Sequence, residues 1–383
     1  MNFQKEMVKV CLNLIFKNDS SMLSECLKSV APFIDYFMLC DTGSVDNSRE
    51  VIQEWKTKHE KVGTIIKEEF KNYSYNKNFL LAATIKTLNA LDGLVSLEEH
   101  KENEWFILFM NPSDVITKTP DELLSIIATS RCPFYRGTIE GSGTTRAVLV
   151  KASIDIRWIG SACEVLIPRG RRIQMKTLDD FVIEDRTKFK TTRHICNIRL
   201  LEQELKVNGP NHRTVFNLAE SYRKCGLRRL LPIAEQLFVR RSKMKHRPAE
   251  IYVSLFRAAE CRMLMGINDN VTLEYALEAL KYDETRLEAP YMAMVALLKK
   301  DNVIAAKALG RSFIKFTKGP VFKKNLKSYH CRKEIHTWGF SHTLALIFRN
   351  TGEKLQCKKL IGRIDTDLLS EHAKALLRDT IEG

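Results

Sequence analysis

Apolar runs and helical periodicities alternate through the first 190 residues. Residues 8–16 form a nearly unbroken apolar run, the pattern of a strand buried on both faces. Residues 21–30 follow with Met22, Leu23, Leu27 and Val30 at helical spacing. A second short apolar run, 36–40, ends in the turn-rich Asp41-Thr42-Gly43-Ser44. The pattern then predicts a helix over 45–58, with Val51, Ile52 and Trp55 on one face, and a strand at 62–66. A helix over 75–91 and a strongly apolar strand at 105–110 come next. Strands alternating with helices of this length predict a mostly parallel sheet covered on both faces.

From about residue 191 strand signals fade and long helical periodicities take over, so the predicted units are 1–190 and 191–383. Three stretches look alike. Asn217-Leu218-Ala219 is followed by Tyr222, Gly226 and Ala234; Leu255, Ala258 and Ala259 by Met263, Gly266 and Ala276; Tyr291 and Ala293 by Leu297, Ala305 and Ala308. Small residues recurring on paired helices allow close packing, as in a tetratricopeptide-like array, although the spacing is looser than roughly 34 residues. A plain helical bundle is the other reading. Two further helical segments are expected at 338–348 and 368–380.

Composition narrows the classes. A hydrophobic fraction of 44% over 383 residues fits two globular domains. No run approaches the roughly 18 apolar residues of a membrane span. Ten cysteines are scattered without a CxxC pair, which argues against a disulfide scaffold or a zinc module and for a reducing, cytoplasmic setting. The net charge of +15 is uneven: residues 1–150 carry 17 basic and 20 acidic side chains, residues 151–383 carry 44 and 26. A basic second half suits an anionic partner or a well-solvated surface. Nucleic acid is disfavoured, because the basic half lacks the aromatic interleaving of single-strand binders.

The sharpest motif is Asp41-Thr42-Gly43-Ser44-Val45-Asp46. A carboxylate at the C-terminal edge of a parallel strand sits where such sheets bind ligands. There Asp41 can accept hydrogen bonds from a base or ribose, Gly43 lets the backbone turn, and Ser44 or Asp46 can cap the next helix. The same junction also serves as a plain helix cap.

The order of motifs resembles family 2 glycosyltransferases: an apolar strand, Lys17-Asn18-Asp19, a helix, a second strand, then Asp-Thr-Gly-Ser-x-Asp. More narrowly it resembles the branch that joins this domain to tetratricopeptide repeats. Lys77-Asn78 is similar to that branch's Arg-Asn, Arg146 with Val148, Leu149 and Val150 to its Arg-Leu-Phe strand, and Trp158-Ile159-Gly160 to its Trp-x-Gly turn. The resemblance implies an α/β Rossmann-like nucleotide-diphospho-sugar transferase domain followed by an all-α tetratricopeptide-like domain. It also implies inverting transfer of a sugar from a nucleotide-diphospho-sugar donor to an acceptor hydroxyl on a protein or glycan. The helical repeats would then recruit a protein partner.

The family's Asp-x-Asp holds Mn²⁺ or Mg²⁺ on the diphosphate, and here the pattern departs. The strand ends Asn111-Pro112-Ser113-Asp114, so Asn111 and Ser113 replace the two aspartates and Asp114 is the one remaining metal or diphosphate candidate. The branch's metal-ligating histidine is Cys163, a soft ligand ill-suited to either cation. Glu164 remains as a candidate base. Glu184 and Asp185 are further acidic candidates. Lys77, Arg146, Arg169, Arg171 and Arg172 could cradle phosphates in place of a cation. The alternative expectation is a degenerate nucleotide-sugar-binding or scaffold protein. The expected donor contacts are thus Asp41, Gly43, Ser44, Lys77, Asn78, Asn111, Ser113 and Arg146, with Glu164 and Asp114 as the catalytic pair.

Overall fold

The structure is a computed structural model that describes residues 8–95, 104–130, 132–140, 144–170, 173–187, 190–267, 270–328, 330–366 and 369–382. The chain divides into two compact units, Met1–Arg193 and His194–Gly383. The division falls within α5.

In the first unit the order is β1 (Val8–Phe16), α1 (Ser20–Val30), β2 (Tyr36–Asp41), α2 (Ser48–Lys58), β3 (Val62–Lys67), α3 (Tyr73–Val95) and β4 (Glu104–Phe109). There follow β5 (Asp114–Lys118), α4 (Leu123–Ser130), β6 (Phe134–Ile139), β7 (Thr145–Lys151), β8 (Ile156–Ile159), β9 (Val165–Pro168) and β10 (Lys176–Asp185). Eight strands form one sheet in the order β3-β2-β1-β4-β7-β6-β10-β5, and β8 and β9 pair as a separate hairpin.

Strands β3, β2, β1 and β4 are parallel. Beyond them β7 runs antiparallel to both β4 and β6, β10 is parallel to β6, and β5 closes the edge antiparallel to β10. The sheet is therefore mixed, and the mostly parallel sheet read from the sequence holds for one half only. The chain steps outward from β1 to β3, then returns to β4 on the far side of β1. Right-handed crossovers then place the connecting helices on opposite faces. Accordingly Leu12, Leu14 and Leu39 pack with Leu23 and Leu27 of α1 and Ile52 and Trp55 of α2. Alternate residues Cys11, Ile15, Met38 and Cys40 pack with Leu80, Leu81 and Leu88 of α3. The carboxyl ends of β1 and β4 mark a topological switch point, the kind of place where open α/β sheets bind ligands.

One boundary differs from its sequence expectation for a clear reason. The second helix starts at Ser48 rather than at residue 45. Val45 is 92% exposed, and Asp46 ends the turn by accepting the Ser48 N–H.

The second unit is all helical: α5 (Lys190–Asn208), α6 (His212–Lys224), α7 (Leu231–Ser242), α8 (Pro248–Leu264), α9 (Asn270–Leu280), α10 (Glu288–Leu298) and α11 (Val303–Phe313). Then come α12 (Gly319–Asn325), a π-turn at Ile335–Gly339 that runs into α13 (Phe340–Asn350), α14 (Lys354–Ile361) and α15 (Glu371–Glu382). The three similar stretches of sequence are the helix pairs α6–α7, α8–α9 and α10–α11, each packed on the next. Gly226 and Gly266 follow α6 and α8 in the left-handed region, where a Cβ is unfavourable. Gly310 of α11 serves a different need: a Cβ there would lie 2.5 Å from Leu344 and 2.8 Å from Met294, so the bare backbone lets α10, α11 and α13 close up.

Buried ion pairs lace this unit. Glu288 is fully buried, accepts from Arg286 and Tyr252, and lies 2.8 Å from His336. Among the described residues no helix is long and apolar enough to cross a membrane.

Candidate functional site

Asp41 ends β2, level with Phe16 on β1 and Lys67 on β3. Its Oδ1 accepts the N–H groups of Gly43 (3.0 Å) and Ser44 (2.7 Å), and Oδ2 pairs with Arg49 Nε at 2.5 Å. Gly43 adopts φ +105°, which only glycine takes readily. Burial would raise the Asp41 carboxyl, but the Ser44 N–H and the Arg49 guanidinium outweigh it and hold the group below its usual range. The loop after β1 is tied to this turn: Ser44 Oγ accepts the Asn18 N–H, and Asn18 returns a carbonyl to the Val45 N–H. Lys17 lies against Gly43. Asp41, Gly43 and Ser44 therefore form one self-bonded turn at the carboxyl edge of the sheet.

A second cluster gathers after β4. Lys77 of α3 donates to Glu164 (2.5 Å) and to Asn111 Oδ1 (3.1 Å), with its ammonium 4.4 Å from the centre of the Trp158 ring. Glu164 follows a tight turn in which Gly160 (φ +94°) and the non-glycine Cys163 (φ +51°) are both left-handed. Burial pushes the Glu164 carboxyl up, yet the Lys77 charge and hydrogen bond prevail and hold it below the usual carboxylate range. Asn78 takes a different position: both ends of its amide bond the Trp158 backbone, at 2.9 and 2.8 Å. It braces the β8 hairpin against α3.

Asp114, 1% exposed, opens β5. The Arg146 guanidinium of β7 grips both carboxylate oxygens, Nη1 to Oδ1 at 3.1 Å and Nη2 to Oδ2, and Oδ2 also accepts the Asn111 N–H. Ser113 Oγ donates to Asp185 Oδ1 at 2.9 Å, while Arg193 Nη1 donates to Asp185 Oδ2 at 3.0 Å and Thr187 Oγ1 at 2.8 Å. Glu184 pairs with Arg186. Arg169 is exposed near Asp155, and Arg171 and Arg172 lie outside the described residues.

A hard divalent cation needs several open oxygen ligands. Asp114 offers none free of Arg146, and Asn111 Oδ1 faces the Lys77 ammonium. Among the described residues, metal-ligating groups converge only at Glu288, Cys331 and His336 of the helical unit, where Glu288 is already ion-paired with Arg286. The residues after β4 thus do not fit Mn²⁺ or Mg²⁺. Lys77, Asn111, Asp114, Arg146 and Glu164 do come together, as a lattice of paired charges.

Two participants escaped the sequence reading. Arg49 sits eight residues beyond Asp41, on the first turn of α2, and its proximity in sequence was the available signal. Arg193, in the first turns of α5, interacts electrostatically with Asp185, Asp114, Glu164 and Asp19. Only the folding of β10 back onto the sheet brings it there.

No known family model matches the chain, and no curated protein matches it. Solved structures resemble it distantly. MamA is 13% identical with a TM-score of 0.36, over 51% of this chain and 95% of that one. S. aureus TarS 1–349 is 11% identical with a TM-score of 0.35, over 74% and 90%. The TPR-like repeats of a Podosopora anserina kinesin light chain are 14% identical with a TM-score of 0.33, over 51% and 93%. Superpositions this loose assign neither family nor function.

Proposed function

We propose that the α/β unit binds a nucleotide-diphospho-sugar at the carboxyl edge of β1, β2 and β4 and transfers its sugar, with inversion, to an acceptor hydroxyl on a protein or glycan, without a divalent cation. The observation that carries this reading is the Lys77–Glu164 pair at the switch-point edge that also carries the Asp41 turn. On this reading Asp41 and Arg49 meet the nucleoside. Glu164, ionised at neutral pH, takes the acceptor hydroxyl's proton as its oxygen bonds the anomeric carbon. The bond from that carbon to the diphosphate breaks, and its electron pair leaves with the diphosphate. Lys77, released as Glu164 is neutralised, then faces the charge that develops on the leaving group, which is the work a metal would otherwise do.

A second reading, binding without transfer, is favoured by the pairing itself: Lys77, Arg146 and Arg193 each already hold a carboxylate. Titration calorimetry of UDP-, GDP- and dTDP-sugars in EDTA and in Mn²⁺, followed by mass spectrometry of the products, separates the two. Transfer predicts EDTA-resistant binding that weakens in Asp41→Asn, together with turnover lost in Glu164→Gln while binding persists. Binding with no turnover in any variant selects the second reading. No binding of any donor removes both.

A further inference from the structure

The helical unit carries a groove of about 1070 Å³ bounded by α7, the α7–α8 loop, α8 and α9. Its floor is apolar: Ile251 and Leu255 of α8 are buried, and Leu277 and Tyr282 are 43% and 38% exposed. A half-open floor of this size is suited to an apolar side chain from outside.

The rim is what selects the occupant. Lys243, Lys245 and Arg247 line the groove, are exposed, and have no acidic partner among the described residues. Of the two acids that line it, Glu278 is paired with Lys281 at 2.5 Å, and Glu274 is left as one charge against three. Their placement runs against local stability. Lys245 and Arg247 immediately precede α8, which begins at Pro248, so they stand at the positive end of its dipole. Arg247 is itself left-handed at φ +53°, with no side-chain cap. The acidic residue of that first turn, Glu250, is buried and committed to Arg241. Three cations without an acidic partner among the described residues therefore line the groove near a helix N-terminus, so their field adds to the dipole's there.

We infer that this groove is a docking site for an acidic peptide segment of a partner protein, with an aliphatic or aromatic residue seated on Leu277 and Tyr282 and flanking carboxylates on Lys243, Lys245 and Arg247. The inference is independent of sugar transfer, since none of these residues lies in the α/β unit.

Fluorescence anisotropy on the full chain tests it. The probe is a labelled peptide with a Leu-Phe pair between runs of glutamate; the controls carry lysines for the glutamates, or alanines for the Leu-Phe pair. The acidic apolar peptide should bind at least tenfold more tightly than either control. The K243E/K245E/R247E variant should weaken it at least tenfold, an effect that shrinks in high salt. Leu277→Asn should weaken it by a similar factor at every salt concentration. All four residues are exposed, and thermal melts check that the variants fold. Equal binding of acidic and lysine peptides, a triple variant within twofold of wild type, or tighter binding of an oligo-U RNA would overturn the proposal.

Discussion

Replacing Asp114 by Asn separates an ion-paired strand end from a metal site, because the two assign opposite roles to the same carboxylate. Asp114 is 1% exposed and grips Arg146 through both oxygens, while Oδ2 also holds the Asn111 N–H. An amide keeps one acceptor but turns an NH₂ group toward the guanidinium or the backbone donor, and it removes the negative charge. Breaking a buried pair at one end costs about 3–5 kcal/mol. The Arg146 side chain is 28% exposed and recovers some hydration, so about 2–3 kcal/mol is expected here.

Urea unfolding followed by tryptophan fluorescence reads this directly. Of the four tryptophans, Trp55, Trp105 and Trp158 lie in the α/β unit. With a slope near 2 kcal/mol per molar urea, the midpoint should fall by roughly 1–1.5 M. Arg146→Met should cost a similar amount, and the double variant should fall well short of the sum. A resident cation with a dissociation constant one hundredth of the Mn²⁺ concentration would add about 2.7 kcal/mol to the native state. Wild type should show no such gain. A midpoint that rises with Mn²⁺, or an Asn variant costing less than about 0.5 kcal/mol, would refute the pairing argument.

Three other outcomes follow from the packing and charges. Glu288→Gln should destabilise the helical unit by about 3–5 kcal/mol in calorimetry, since it removes the carboxylate that pairs with the 1% exposed Arg286; a loss under 1 kcal/mol would contradict that. Gly310→Ala should cost about 1–3 kcal/mol through the clash with Leu344 and Met294, read as a lower urea midpoint; an unchanged or higher midpoint, as expected if only helix propensity mattered, would show that the side chains yield freely. Burial pushes the His330 imidazole down to about 4, so between pH 6.5 and 4 the unfolded chain binds more protons than the folded one. Stability should therefore fall as pH drops through that window, and His330→Gln should remove up to one proton's worth of the slope; a wild-type minus variant difference that is flat or of opposite sign would refute it.

What could be read from the chain, and what could not, divides by range. Runs such as residues 8–16 and 36–40 declare strands because both faces of the sheet are covered, so each strand is apolar throughout rather than alternating. The antiparallel half was hidden because β5, β7 and β10 mix polar and apolar residues, and no local pattern fixes strand direction. The Asp41 turn was readable, since a carboxylate, a glycine and a serine within four residues can close on one another locally. The pairing of the charges after β4 was not. Asp114 meets Arg146 from 32 positions away, and Lys77 meets Glu164 from 87. Asn111 and Ser113 bring no charge to that edge, and its acids could have been left to repel or to seek a cation. Instead each acid of the lattice is matched by an arginine or lysine brought in by a different element: α3, β7 or α5. Neutralising the edge by fixed side chains makes its charge state independent of metal supply. On the proposed reading, an anionic donor would meet cations that are already paired, so its affinity should be set by competition with Glu164 and Asp114 rather than by an open basic pocket.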